Sequence, residues 1–523
     1  MFYYVLFSLL RSRFVLQIFL VETTFDSLWS VRRAHSKNSV IGNQANCRSL
    51  SHEHGGSRTK GQDAVWSGSA RSQTICSAAP LSDTPYVGLK RINTYLPWIV
   101  AGALFVATFG LSGYWIVTNP QQPLPDPTLY EGIGANLAAG NGYSFDVHPP
   151  YRPELTRTPF LPHLIALLYQ FTGRHPGAVL WMNAVFIGMA VALGYLFALR
   201  LFEKQAIAIT GGIIAFLTPP VTGAANNILT EPPAMLQLVV AAFLLTDWSK
   251  RVAGRWAPLH GTLLGLLFAS ITLNRTALTP VVLIAAAYIA VVALRGHLKN
   301  SIRWLTVGLF CLSLGTPVVA WAARNASLGL AFSPAPIGIY ASRILDIKRY
   351  REHLLDKGEK LPRVNKQYFL HWKRHYGPER LKELEAANKA WFEAWRAEHG
   401  KRILKSIPHR LLGLFSYFRN SIFPPWPGHK DRENREKMRW VARSLWLLAF
   451  VGLILSWKNR WARYFFIVPV VGLVAVHVPT VCHHRYTFPV LPLLMPYGGV
   501  TLYAVWRATF GRLRKSHDTD NPN

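Results

Sequence analysis

Acidic residues are scarce in this chain and charge of either sign is thin, with 26 Asp and Glu against 57 Lys and Arg and only 16% charged residues in 523. Half of the residues are hydrophobic, and together these figures exclude disorder for most of the chain and argue for a membrane protein. Cysteine is equally sparse. Cys47, Cys76, Cys311 and Cys482 lie far apart with no CxxC pair, so neither a zinc ribbon nor a disulfide framework is encoded, and the redox compartment stays open. No window repeats along the sequence, and its apolar segments do not divide into two similar halves. No basic stretch precedes the apolar residues 1–20, and Arg11 and Arg13 interrupt them, so they read poorly as a signal peptide.

Aromatic and apolar residues are plentiful: 18 Trp, 20 Tyr and 28 Phe. The formal net charge of +31 does not point to nucleic acid, because basic residues in a multi-pass protein hold loops on the cytoplasmic side and face anionic lipid. The mean hydropathy of +0.16 averages over unlike stretches. Residues 1–92 read as a disordered extension, or as the artefact of a start codon placed too early, since 21–90 are rich in Ser, Arg, Gly and His without an apolar period. At Tyr95 the regime changes. YLPWIVAGALFVATFGLSGYWIV carries no charge over a length that crosses roughly 30 Å of hydrocarbon.

Further apolar segments fall at about 177–201, 205–220, 232–248, 258–273, 277–294, 304–322, 440–457, 463–479 and 487–506. The expectation is an all-α polytopic membrane protein of roughly ten or more transmembrane helices, since only helices or closed barrels satisfy the backbone in lipid. Residues 93–322 form its N-terminal transmembrane module with a first outer loop at 118–176. An extracytoplasmic helical insertion follows at 323–438, then C-terminal helices at 439–510 and a cytoplasmic tail at 511–523. Alternation of sides supports this order. With Lys90 and Arg91 inside, the short loops or tails holding Arg200 and Lys204, Lys250 and Arg251, Arg295 and Arg303, Lys458 and Arg460, and Arg507 and Arg512 all fall inside too. The insertion is basic as well, but long translocated domains escape the charge bias.

The opposite face collects the unusual residues. Asp126 lies between prolines at the mouth of the first span, before a helical period of Tyr130, Ile133 and Leu137 that Gly140 and Gly142 terminate. It reads either as an acid held at the membrane surface or as a helix N-cap. Glu231 opens a span, where it serves as a site acid or as a partner for the helix N-terminus. Arg275 and Arg485 stand at outer span ends, able to meet phosphate or to snorkel to headgroups. Arg157 orients the first loop or touches a phosphate. His483 and His484 read as a phosphate or metal pair, or simply as solvated histidines. In the insertion, Leu381, Leu384, Ala387 and Trp391 recur at helical spacing, predicting an outer amphipathic helix that serves as an interfacial lid or packs on the bundle.

Asp126, Tyr130, Ala135, Leu137, Gly140, Gly142 and Tyr143, followed by RTPFLP at 157–162, LTEP at 229–232, LNRT at 273–276 and RYTFPVLP at 485–492, form an ordered set. It resembles the bacterial C-type membrane glycosyltransferases, in the branch similar to dolichyl-phosphate-mannose protein mannosyltransferases and the lipid A aminoarabinose transferase. The resemblance runs over about 95–510. It implies inverting transfer of a hexose or pentose from a polyprenyl-phosphate donor to an extracytoplasmic lipid, glycan or protein, at a bacterial inner membrane and without nucleic acid. Asp126 is then the general base, and Arg157, Glu231, Arg275, Arg485, Tyr486 and Tyr130 line the substrate. Many relatives place a second acid beside the first. Here Pro127 follows and Glu131 is the next acid, so no cofactor is certain and a divalent metal at Glu131, His483 or His484 stays open. The alternatives are a secondary transporter, which ordinarily shows repeat halves and broken spans, and a non-catalytic lipid-binding protein.

Overall fold

The computed structural model describes residues 86–118, 125–246, 248, 254–295, 300–335, 343, 377–415, 432–478 and 484–519. Contacts divide the chain into residues 1–96 and 97–523. In the first unit the described residues are 86–96, the opening of helix α1 (Tyr86–Thr118). The second unit holds everything below. Among the described residues the protein is helical without strands, as the apolar segments require.

After α1 come α2 (Pro125–Ala138), α3 (Phe160–Thr172), α4 (Pro176–Phe202), α5 (Gln205–Leu217), the single turn α6 (Pro219–Thr222), α7 (Glu231–Thr246) and α8 (Ala257–Asn274). They are followed by α9 (Thr279–Arg295), α10 (Asn300–Ser327), α11 (Pro378–Phe415), α12 (Arg432–Leu455), α13 (Arg460–His477), a 3-10 segment His484–Val490, and α14 (Leu491–Thr519). Each expected apolar segment coincides with a helix, but the count of ten spans is not reached. Seven are long and apolar enough to cross a membrane among the described residues, or eight if a bent pair is one span. Helix α7 and the apolar part of α12, Trp440–Leu455, are too short. The bent pair breaks by 61° between Leu217 and Pro219, where Pro219 and Pro220 supply no N–H to continue the helix.

The core is a continuous apolar cluster in which α4, α5, α7, α8, α13 and α14 meet, centred on large buried side chains such as Trp248, Tyr195, Phe197, Phe268 and Tyr497. Glycines let backbones approach, the device by which membrane helices gain contact. A Cβ on Gly265 of α8 would lie 2.5 Å from the Phe310 carbonyl oxygen of α10. Asn459 caps α13 through its side chain and donates from Nδ2 to the Leu201 carbonyl at 2.8 Å, tying the start of α13 to the last turn of α4.

Helix α2 matches the predicted period. Tyr130 and Ile133 are buried, and Gly140 and Gly142 take φ of 79° and 80°, the left-handed region that glycine enters freely. Helix α3 lies within the segment 118–176. Its sequence FLPHLIALLYQFT buries Leu161, Ile165 and Tyr169 against Tyr130 and Val179, so the first loop folds as a helical pair. In α11 the buried stripe is Leu381, Leu384, Asn388, Phe392, Trp395 and His399. Ala387 lies on the exposed side of it, a correction of the expected face.

Candidate functional site

Glu231 is the first residue of α7, and its carboxylate is fully buried. A lone buried carboxylate is costly unless paired, and two guanidinium groups converge on it. Arg275 Nη1 lies 2.9 Å from Glu231 Oε1, while Arg485 approaches the same oxygen through Nε and donates from Nη2 to Oε2 at 3.4 Å. Arg275 is the cap residue that ends α8, and Arg485 precedes α14 in the 3-10 segment. The cluster thus unites the start of α7, the end of α8 and the approach to α14, with the end of α13 alongside. The Arg275 guanidinium sits 5.1 Å over the Tyr486 ring, which stacks on His477 of α13 at 4.1 Å.

Neighbouring polar groups fix this arrangement. Asn274 Nδ2 donates to the Thr230 carbonyl at 3.1 Å and to Gln237 Oε1 at 3.0 Å, and Gln237 Nε2 donates to Ser270 Oγ at 2.9 Å. Thr158 Oγ1 of the first loop donates to the Asn274 carbonyl at 3.0 Å, tying that loop to the residue before Arg275. Tyr143 in turn offers its hydroxyl to the carbonyls of Arg157 and Thr158 at 3.1 and 3.0 Å. Burial, reinforced by the charge of Glu154, holds the Tyr143 phenol well above its usual pKa, so it remains a neutral donor. Its ring packs on Trp321 and His163, with the Arg324 guanidinium 5.1 Å above it.

Of the residues singled out in the sequence, Glu231, Arg275, Arg485 and Tyr486 therefore lie in one cluster. Arg157 stands 5.6 Å over the Tyr130 ring, and Thr158 links it to that cluster. Glu131 is engaged elsewhere. It takes a bidentate pair from Arg174 at 2.9 and 3.0 Å, which holds the Arg174 pKa above its usual value, and a hydrogen bond from the Tyr169 hydroxyl at 3.2 Å. This is how a structural strut is built. Asp126 lies in the first turn of α2, and its side chain lies outside the described residues, as do His483 and the side chain of His484. Among the described residues no three His, Cys, Asp or Glu groups cluster as a metal site would need. Thr230 and Asn274, which single-residue reading passed over, sit inside the LTEP and LNRT segments; Gln237 carries no such signal.

Residues 153–321, which contain most of these groups, match the family described as dolichyl-phosphate-mannose-protein mannosyltransferase. Over those residues the match agrees with the resemblance read from the motifs. Two solved structures of the Archaeoglobus fulgidus oligosaccharyltransferase are similar at 12% identity. One, a complex with zinc and sulfate, aligns over 78% of this chain with a TM-score of 0.39. The other, tethered through a disulfide bond to an acceptor peptide containing the NVT sequon, aligns over 80% with a TM-score of 0.40. The match covers 50% of each of those chains, about half their length. No curated protein matches the chain.

Proposed function

We propose that the protein transfers a sugar from a polyprenyl-phosphate carrier to a lipid, glycan or protein acceptor on the extracytoplasmic side of a bacterial inner membrane. The observation that carries this reading is the convergence of Arg275 and Arg485 on Glu231 at one end of the helices. One carboxylate holds both guanidinium groups, so two positive charges with directed N–H donors are fixed side by side. Such fixed donors suit a leaving phosphate, and preorganised donors of this type commonly supply the largest share of catalysis.

In the proposed reaction Asp126 takes the proton of an acceptor hydroxyl as its oxygen attacks the anomeric carbon. The bond to the carrier phosphate breaks with inversion, and its electron pair stays on a phosphate oxygen facing Arg275 and Arg485. Glu231 acts through the two arginines as a positioning residue. Helix α11 packs beside the first loop, where Leu381 meets Leu155. A transporter reading draws on the broken α5–α6 pair, yet the charged cluster occupies helix ends, which favours chemistry at an interface.

The test is transfer from a radiolabelled polyprenyl-phosphate sugar in membranes, comparing wild type with Asp126→Asn. Loss of general-base help should lower the rate about 10²- to 10⁴-fold. Equal transfer by both removes Asp126 from the role of base.

A further inference from the structure

A cavity of about 310 Å³ lies apart from the charged cluster, between the first loop, the end of α10 and the start of α11. Phe145, Asp146, Glu154, Leu155, Leu328 and Leu381 line it, all outside the membrane-crossing helices. Its volume is at the small end of ligand pockets, about 300 to 1,000 Å³, which fits a single ring.

The polar groups in the wall differ in what they have left to offer. Asp146 is satisfied: its Oδ2 accepts from the Arg152 backbone N–H at 2.8 Å and from Nε at 3.2 Å, and its Oδ1 accepts from Nη2 at 3.3 Å. Glu154 is 2% exposed and spends one oxygen locally. Oε1 accepts from the Thr156 N–H at 2.7 Å and from the Thr156 hydroxyl. Among the described residues Oε2 receives no hydrogen bond. Glu154 Oε2 is not sealed in protein but open at the cavity wall, where a carboxylate oxygen can accept from a ligand that donates.

The rest of the wall says what kind of donor. The Asp146 charge is matched by Arg152, and Arg324 bears electrostatically on Glu154, so the site does not call for another cation. The apolar surface of Leu155, Leu328 and Leu381 suits the C–H faces of a ring. We propose that this cavity binds one pyranose ring, with a ring hydroxyl donating to Glu154 Oε2 and the ring faces lying on Leu155 and Leu381. The binding site rests on the cavity alone. Only the step from bound ring to transfer substrate rests on the proposed function.

Ligand-observed saturation-transfer NMR on the purified full chain in detergent tests this, with methyl α-mannopyranoside and methyl α-glucopyranoside as probes and ethanolamine as the cationic comparison. Wild type should transfer saturation to the ring protons of a pyranoside. Glu154→Gln keeps an acceptor for Thr156 and places a donor where Oε2 was, so the signal should fall about threefold or more, the range expected for losing one hydrogen bond. Leu381→Trp fills the cavity and should abolish it. No ring signal in wild type, a signal from ethanolamine alone, or an undiminished signal in Glu154→Gln overturns the proposal, whatever the fate of Leu381→Trp. Displacement of the probe by a polyprenyl-phosphate sugar identifies the ring as the donor's, and its persistence shows that the ring is not the donor's. Because no turnover is read, failure here is distinct from failure of the transfer reaction.

Discussion

One buried carboxylate serves two cations here, and the order of mutational costs follows from that count. Removing Glu231 leaves both Arg275 and Arg485 without their shared partner, whereas removing Arg275 leaves the carboxylate held by Arg485. Breaking a buried pair by deleting one member typically costs about 3–5 kcal/mol, much of it the orphaned charge. Glu231→Ala should therefore lose about that much stability in detergent unfolding, and Arg275→Ala distinctly less. The reverse order would mean that Arg485 does not hold Glu231 in solution. Each member of the cluster was legible as a lone charged residue at a span end. The pairing was not, because Glu231 and Arg485 stand 254 positions apart and nothing local couples them. Glu154 was passed over altogether, since an acid in a loop looks the same in sequence whether it is solvated or buried.

Among elements, helix existence was legible and helix length was not. Runs without charge marked the apolar helices, while the break after Leu217 and the shortness of α7 depend on where prolines and buried polar residues end a helix. Packing at small residues yields a further prediction. At Gly265 a side chain would drive into the α10 backbone, with Phe310 O at 2.5 Å and Ser313 Cβ at 2.8 Å; at Gly308 nothing lies within 4 Å. Gly265→Val should cost on the order of 1–3 kcal/mol or more as overpacking. Gly308→Ala should be neutral or slightly stabilising, as alanine is the better helix former by roughly 1 kcal/mol. Thermal unfolding of the purified protein compares the two. Equal midpoints would contradict the close α8–α10 crossing.

For the whole molecule the decisive feature is that its two ends differ. Asn459, beside Lys458 and Arg460, bonds the last turn of α4 at one end, and His477 stacks beside the charged cluster at the other. Helix α13 connects them over 18 residues, about 27 Å at 1.5 Å per residue. That is close to the thickness of a bilayer core. A topology reporter fused after Pro150 should accordingly behave as extracytoplasmic and one after Lys204 as cytoplasmic. The same compartment for both would overturn the sidedness of the proposed reaction.

The sequence by itself determined that this is a helical membrane protein, which end of its helices carries basic loops, and which residues stand at the other end. Those properties are local sums of hydrophobicity and charge, and they survive without knowledge of any contact. Tertiary structure alone decided that Glu231 is shared by two arginines, that Glu131 is taken up by Arg174, and that Glu154 keeps an oxygen toward a cavity. Each depends on which charges are brought within about 3 Å in a low-dielectric interior, where pairing and burial outweigh anything a neighbour in sequence can signal.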